Sequence, residues 1–240
     1  MAFFASRLSR INPSATVSIN TKSQEMKAEG KDIIGLAVGE PDFNTPSHIQ
    51  EAAIKAMREG KTRYAAPAGI PELRQAISDK FKRENGLNYN IDQIAVCAGG
   101  KQIIYNAFTA TVDEGDEVIV PAPYWVTYPD LALLNGGTPV IIDSTVGMEF
   151  KITPEQLEEA ITRKTKWLVL NSPCNPTGSA YSPVELKALS EVLLRHPHVW
   201  ILCDDIYEHL LYDGAQFATI AQIEPQLYDR TLTLNGMSKS

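Results

Sequence analysis

From residue 94 to residue 235 the sequence carries six short runs that are apolar almost throughout: IAVCAG (94–99), EVIVPAP (117–123), TPVIID (138–143), KWLVLNSP (166–173), VWILCDD (199–205) and TLTLN (231–235). A strand with one wet face alternates apolar and polar side chains, whereas a strand buried on both faces does not. Helical stretches lie between the runs, for example 154–163 after Thr153 and 183–195 after Ser182, and they supply the crossovers that parallel strands require. The pattern predicts an α/β fold built on a mainly parallel sheet. No internal repeat or low-complexity segment competes with that reading.

Upstream the signals are different. Residues 1–40 lack periodicity until IIGLAV (33–38), which ends at Gly39-Glu40-Pro41-Asp42 and reads as an arm leading into a strand or turn. Thr45 reads as an N-cap and Pro46 as the first residue of a helix whose face is Ile49, Ala53, Ala56 and Met57, stopped by Gly60. A second helix is predicted over 71–83, where Leu73, Ile77 and Phe81 recur every four residues before Gly86.

Charge narrows the partners. Acidic residues exceed basic ones by 29 − 22 = 7 and no Lys/Arg-rich run occurs, which argues against a nucleic acid or an anionic membrane and for small molecules. No apolar run approaches the roughly 20 residues of a membrane helix. The start, MAFFASRLSR, has too short an apolar stretch for a secretory signal. Cys97, Cys174 and Cys203 show no zinc-type spacing and read as reduced thiols of a cytoplasmic protein. His48, His196, His198 and His209 show no metal spacing and read as surface or packing residues.

Ligands of open α/β sheets collect at the carboxyl ends of the strands. The residues there are Gly99-Gly100-Lys101-Gln102, Tyr124-Trp125, Asn171 to Gly178 (NSPCNPTG), Asp204-Asp205-Ile206-Tyr207 and Asn235 to Lys239 (NGMSK). Two glycines opening a helix suit an anion, although they match neither the P-loop nor GxGxxG, and a plain turn explains them equally well. Asp204 closes a strand of bulky apolar residues, so its carboxylate needs a cation or N–H groups nearby; alternatively Asp204 or Asp205 caps the next helix. Lys239 is either a surface lysine or a desolvated amine able to attack a carbonyl. Trp125 either packs in the core or stacks on a flat ring. The two prolines of NSPCNPTG aim the Asn175 amide toward the strand ends, and no neighbouring histidine supports Cys174 as a nucleophile.

Together these segments resemble the class I aminotransferases of the aspartate aminotransferase family, closest to the bacterial subgroup often called Iβ. The resemblance runs through PSATV (13–17), GEPDFNTP (39–46), YAAPAGIPELRQAI (64–77), GGKQ (99–102), GDEVIVPAPYWVTYP (115–129), NSPCNPTG, DDIYEHLLY (204–212) and NGMSK. It implies the type I fold of enzymes that use pyridoxal 5'-phosphate, with a seven-stranded-type sheet, an arm and part of a small domain over 1–45, and a large cofactor-binding domain over 46–240. By resemblance Lys239 is the lysine that joins the cofactor aldehyde, Asp204 pairs with the ring nitrogen, and Asn175 and Tyr207 bond the ring 3-hydroxyl oxygen. Trp125 stacks on the ring, Gly100 and Lys101 form the phosphate-binding turn, Ser238 contacts the cofactor, and Tyr64 reaches the phosphate of a neighbouring subunit in a homodimer. Gly39, with Trp125 and Asn175, faces the substrate.

The implied reaction moves an amino group between L-aspartate and 2-oxoglutarate. An aminotransferase for another amino acid, a pyridoxal-phosphate lyase, and an inactive chain that keeps the fold stand as alternatives. Two positions depart from the family pattern: Gly236 stands where serine is frequent, and Asn12 stands where relatives that also accept prephenate carry a basic residue. Family members continue well past the lysine, to an arginine for the phosphate and another for the substrate α-carboxylate. The chain therefore reads as truncated at Ser240, and a poorly soluble or inactive product is the expectation.

Overall fold

The computed structural model describes residues 3–239. The helices are α1 (Ala15–Ala28), α2 (Ser47–Arg58), α3 (Pro71–Asn85), α4 (Gly100–Thr111), α5 (Thr127–Leu134), α6 (Pro154–Ala160), α7 (Pro183–Arg195) and α8 (Ile220–Ile223). The strands are β1 (Glu117–Ala122), β2 (Thr138–Asp143), β3 (Thr165–Asn171), β4 (Trp200–Asp204) and β5 (Thr231–Leu234). Contacts group the residues into two compact units, one of 3–39 with Ala98–Ser238 and one of Glu40–Cys97 with Lys239. No described helix is long and apolar enough to cross a membrane.

The first unit is built on a five-stranded sheet in the order β2-β1-β3-β4-β5, parallel at every pairing. The chain moves from β1 outward to β2, returns to the other side of β1 for β3, and continues to β4 and β5. That reversal between β1 and β3 leaves a crevice at their carboxyl ends.

Successive side chains of a strand point to opposite faces, and here both faces are covered. On one side Val118, Val120, Trp167, Val169, Leu202 and Leu234 pack with Ile104 and Phe108 of α4 and Tyr128, Leu131 and Ala132 of α5. On the other, Ile119, Leu168, Leu170, Ile201 and Cys203 pack with Leu157 of α6 and Leu186, Leu189, Val192 and Leu193 of α7. This double burial is why the runs of β1, β3 and β4 read as apolar throughout; in the edge strand β2 only Ile142 is buried and Ile141 is exposed.

The sixth run, IAVCAG, is not a strand. Residues 94–97 carry no regular secondary structure, and the Val96 N–H bonds the Ala68 carbonyl at 3.0 Å without forming a ladder. Its apolar character serves packing instead: Ile94 is buried, and the backbone of Gly69 lies against Val96 so closely that a Cβ there would sit 2.7 Å from Cγ2. The sheet has five strands among the described residues. IIGLAV forms no strand either, and Ile34 and Leu36 are exposed.

Other boundaries shift for local reasons. Helix α1 is illegible in sequence because it buries no side chain and so carries no apolar stripe; Ser14 caps it. Pro46 has helical φ but extended ψ (139°), so it occupies the N-cap position and α2 begins at Ser47, without a cap from Thr45. Helix α3 runs to Asn85, where Gly86 turns left-handed at φ 66°. Helix α6 ends at Ala160 rather than 163 because Ile161 is extended and the Thr165 hydroxyl takes the Thr162 N–H at 2.9 Å.

Candidate active site

Three strand ends converge at the crevice. Asp204 is the last residue of β4, opposite Asn171 in the register and only 4% exposed. Its Oδ2 accepts the Tyr128 hydroxyl at 2.7 Å, and its Oδ1 accepts the Ile206 N–H at 3.3 Å. Burial pushes the Asp204 carboxyl above its ordinary range, and the two donated hydrogen bonds offset only part of that. Asp204 thus both caps the turn after β4 and presents a buried carboxylate.

Asn171 ties the neighbouring loop to this carboxylate's backbone. Its Nδ2 donates to the Asp204 carbonyl at 2.8 Å, while its Oδ1 accepts the Asn175 N–H at 2.7 Å. Asn175 is in turn hydrogen-bonded to Tyr207 through its side chain. The Tyr207 phenol is raised above its usual value, by burial first and then by the Asp204 charge, with the Asn175 bond acting in the opposite sense. Asp204, Asn175 and Tyr207, three residues singled out from sequence, are one connected group. Cys174 lies beside them with its thiol 3.5 Å from the Pro123 carbonyl.

Trp125 stands at the entrance to α5, its ring edge-to-face with Tyr128 at 5.6 Å and 88°. The Lys101 ammonium lies 5.1 Å from the Trp125 ring centroid, over the indole. A cavity of about 20 Å³, with Tyr124, Tyr128, Cys174 and Asn175 in its lining, has room for roughly one water.

Gly99, at φ 87°, precedes the first turn of α4, and a Cβ on Gly100 would meet Leu234 Cδ2 at 3.3 Å. The turn is therefore tight on its inner side, and helix α4 opens directly from it. Asn235, which the sequence does not single out individually, bonds the Gly236 N–H at 2.7 Å and keeps a buried Nδ2 with no hydrogen-bond partner among the described residues. Ser238 is exposed in the turn after β5, and Gly39 is exposed in a segment without regular secondary structure. Tyr64 and Lys239 belong to the second unit, Tyr64 fully exposed and Lys239 half-buried.

These groups fit a phosphorylated pyridine. A buried carboxylate whose hydrogen bonds only partly offset its desolvation suits a protonated ring nitrogen, and a phenol with an amide suits a ring oxygen. A helix N-terminus with a glycine turn suits a phosphate, and an indole suits a flat ring.

A family model described as "Aminotransferase class I and II" matches residues 31–240. The chain belongs to that family. Over all 240 residues it is 58% identical to the aspartate/prephenate aminotransferase of Cereibacter sphaeroides, of which it covers 60%. Over 236 residues, 98% of the chain, it is 52% identical to the aspartate aminotransferase of Rhizobium meliloti, of which it covers 58%. Among solved structures, the aspartate aminotransferase of Rhizobium meliloti superposes on the whole chain with a TM-score of 0.96 at 52% identity, with 60% of that protein covered. That of Thermus thermophilus with maleate gives 0.94 at 45%, with 61% covered. The chain thus spans about 60% of the length of these relatives. Class I aminotransferases depend on pyridoxal phosphate, the cofactor for which the carboxylate, phenol, amide and indole are suited.

Proposed function

We propose that the protein of which this chain is part is a pyridoxal-phosphate aminotransferase that moves the amino group between L-aspartate and 2-oxoglutarate. The observation that carries the reading is Asp204, its carboxylate buried at the end of β4 and its backbone carbonyl tied through Asn171 to Asn175 and Tyr207. When bound, pyridoxal phosphate supplies an aldehyde and a protonated ring that accepts the electron pair left at the amino acid's α-carbon. Asp204 holds the proton on the ring nitrogen. Asn175 and Tyr207 bond the ring oxygen, Trp125 covers one face, and Gly100, Lys101 and Ser238 serve the phosphate end. Lys239 anchors the cofactor and afterwards carries the proton at the α-carbon.

Aspartate is supported by the names of the relatives, and the dicarboxylate maleate accompanies the Thermus thermophilus protein. Prephenate is the second acceptor to test, since relatives at 58% and 56% identity carry it in their names. The reading includes a homodimer in which Tyr64 serves the partner's phosphate, and the exposed Tyr64 side chain is free to do so. It also includes a division into an arm with part of a small domain over 1–45 and a cofactor domain over 46–240, and a cytoplasmic setting, which suits three cysteines that form no disulfide.

The test is covalent labelling. After incubation with pyridoxal phosphate and borohydride, the peptide containing Lys239 carries the label, and Lys239→Ala abolishes it. Label spread over surface lysines and unchanged in the variant overturns the assignment. Transfer from aspartate to 2-oxoglutarate, with prephenate as a competing acceptor, then decides the substrate.

A further inference from the structure

Tyr128 lies outside every residue assigned above, yet it touches two of them. It is buried at 2% exposure in the first turn of α5, three residues after Trp125, which brings the two rings onto one side of the helix entrance. Its hydroxyl reaches across to β4 and donates to Asp204 Oδ2 at 2.7 Å. We propose that Tyr128 is a positioning residue: its hydroxyl fixes the rotamer of Asp204 so that the carboxylate faces the cofactor's ring nitrogen, and its ring ties that carboxylate to the stacking indole. This deepens the reading of the site given above and rests on it.

The geometry allows few alternatives. Oδ1 is engaged by the Ile206 N–H, and Oδ2 by the Tyr128 hydroxyl, so both carboxylate oxygens are held and the plane of the group is set by the fold. The ionised group keeps further lone pairs for one more donor. Tyr128 stays protonated throughout the working range, because burial and the adjacent Asp204 push its phenol well above the ordinary value. It is therefore a permanent donor, and a donor that stabilises the ionised carboxylate. Edge-to-face contact with Trp125 restrains the phenol ring against rotation. A shift of α5 would consequently move the stacking ring and the charge partner together.

The experiment has two readouts. Carbon-13 aspartate labelling gives the Asp204 carboxyl titration in the cofactor-free chain, the signal being assigned by its loss in Asp204→Asn, and absorbance titration gives the affinity for pyridoxal phosphate. In Tyr128→Phe, checked for native circular dichroism, the Asp204 midpoint moves up and the affinity falls about tenfold, the worth of one charge-assisted hydrogen bond. An unchanged midpoint with unchanged affinity overturns the proposal. Should Tyr128→Phe not fold, 3-fluorotyrosine at position 128 keeps the ring and strengthens the donor, and the Asp204 midpoint moves down; an unmoved midpoint again overturns it. Asp204→Asn binding pyridoxal phosphate as tightly as the parent overturns the assigned role of Asp204 itself, whereas a weakened Asp204→Asn beside an unaffected Tyr128→Phe overturns the positioning role alone.

Discussion

Glycines around the site differ in how much room surrounds them, and that difference has measurable consequences. At Gly236 a Cβ would stand 3.5 Å from Ile206 Cδ1, an ordinary contact. Gly236→Ser therefore fits, and it supplies a hydroxyl on the side where the proposed reading puts the phosphate. Equilibrium titration with pyridoxal phosphate should show about tenfold tighter binding, from a hydrogen bond to a charged group worth roughly 1.5 kcal/mol. At Gly100 the same addition meets Leu234 Cδ2 at 3.3 Å, so Gly100→Ala presses α4 away from β5 and weakens binding instead. An unchanged affinity in both variants would remove Gly236 and Gly100 from the phosphate site. At this scale the candidate site is legible in sequence where a polar residue type at a strand end stands out, as with Asp204, Asn175 and Tyr207, which the structure brings into one connected group. Tyr128 is not, because a tyrosine in an apolar helix start reads as core, and its partner lies 76 residues away. The one available signal is its spacing of three from Trp125.

Elements are legible where both ends announce themselves. Helix α7 begins at Pro183 after Ser182 and α6 at Pro154 after Thr153, and both starts form the reciprocal capping box that S/T followed by E/Q at the third helical position encodes. Helix α1 and the 94–97 segment mislead because the first has no buried face and the second spends apolar residues on packing without pairing. The α7 cap is more than local. Glu185 Oε2 accepts the Ser182 N–H at 2.7 Å and the Ser182 hydroxyl at 2.8 Å, and Oε1 pairs with Lys151 at 2.7 Å. Burial pushes the Glu185 carboxyl up, but the bonds from Lys151 and Ser182 outweigh it and hold the group below its ordinary 4.5. A carboxyl lowered in the folded state stabilises fully above its unfolded value, and that contribution is lost as pH falls through the lowered one. Melting midpoints of the parent should thus decline from about pH 4.5 downward more steeply than those of Glu185→Gln, which starts lower at neutral pH. Ser182→Ala should cost about 1 kcal/mol in urea unfolding at pH 7. Parallel acid limbs in parent and Glu185→Gln would show that the carboxylate plays no such part.

Across the first compact unit, the sheet is the wall shared by two hydrophobic layers. Leu168 and Leu202 are both fully buried, yet they face opposite layers, Leu168 toward α6 and α7 and Leu202 toward α4 and α5. The strands that carry them are adjacent, and Leu168 stands opposite Ile201 in the register. A cavity opened in either layer therefore loosens strands that the other layer also needs, and the two layers cannot unfold separately without leaving β3 and β4 half-covered. Leu168→Ala and Leu202→Ala should each cost about 2–5 kcal/mol. Because the lesion is shared, each variant should lose far-ultraviolet ellipticity and the fluorescence of Trp167, which lies in the α4/α5 layer, at one denaturant concentration. Leu168→Ala is the sharper case, since the cavity and the reporting tryptophan lie on opposite faces of the same strand. If Trp167 fluorescence keeps the parental midpoint in Leu168→Ala while ellipticity shifts, the layers are independent. In that event the crevice at the β1 and β3 ends would rest on the α4/α5 layer alone.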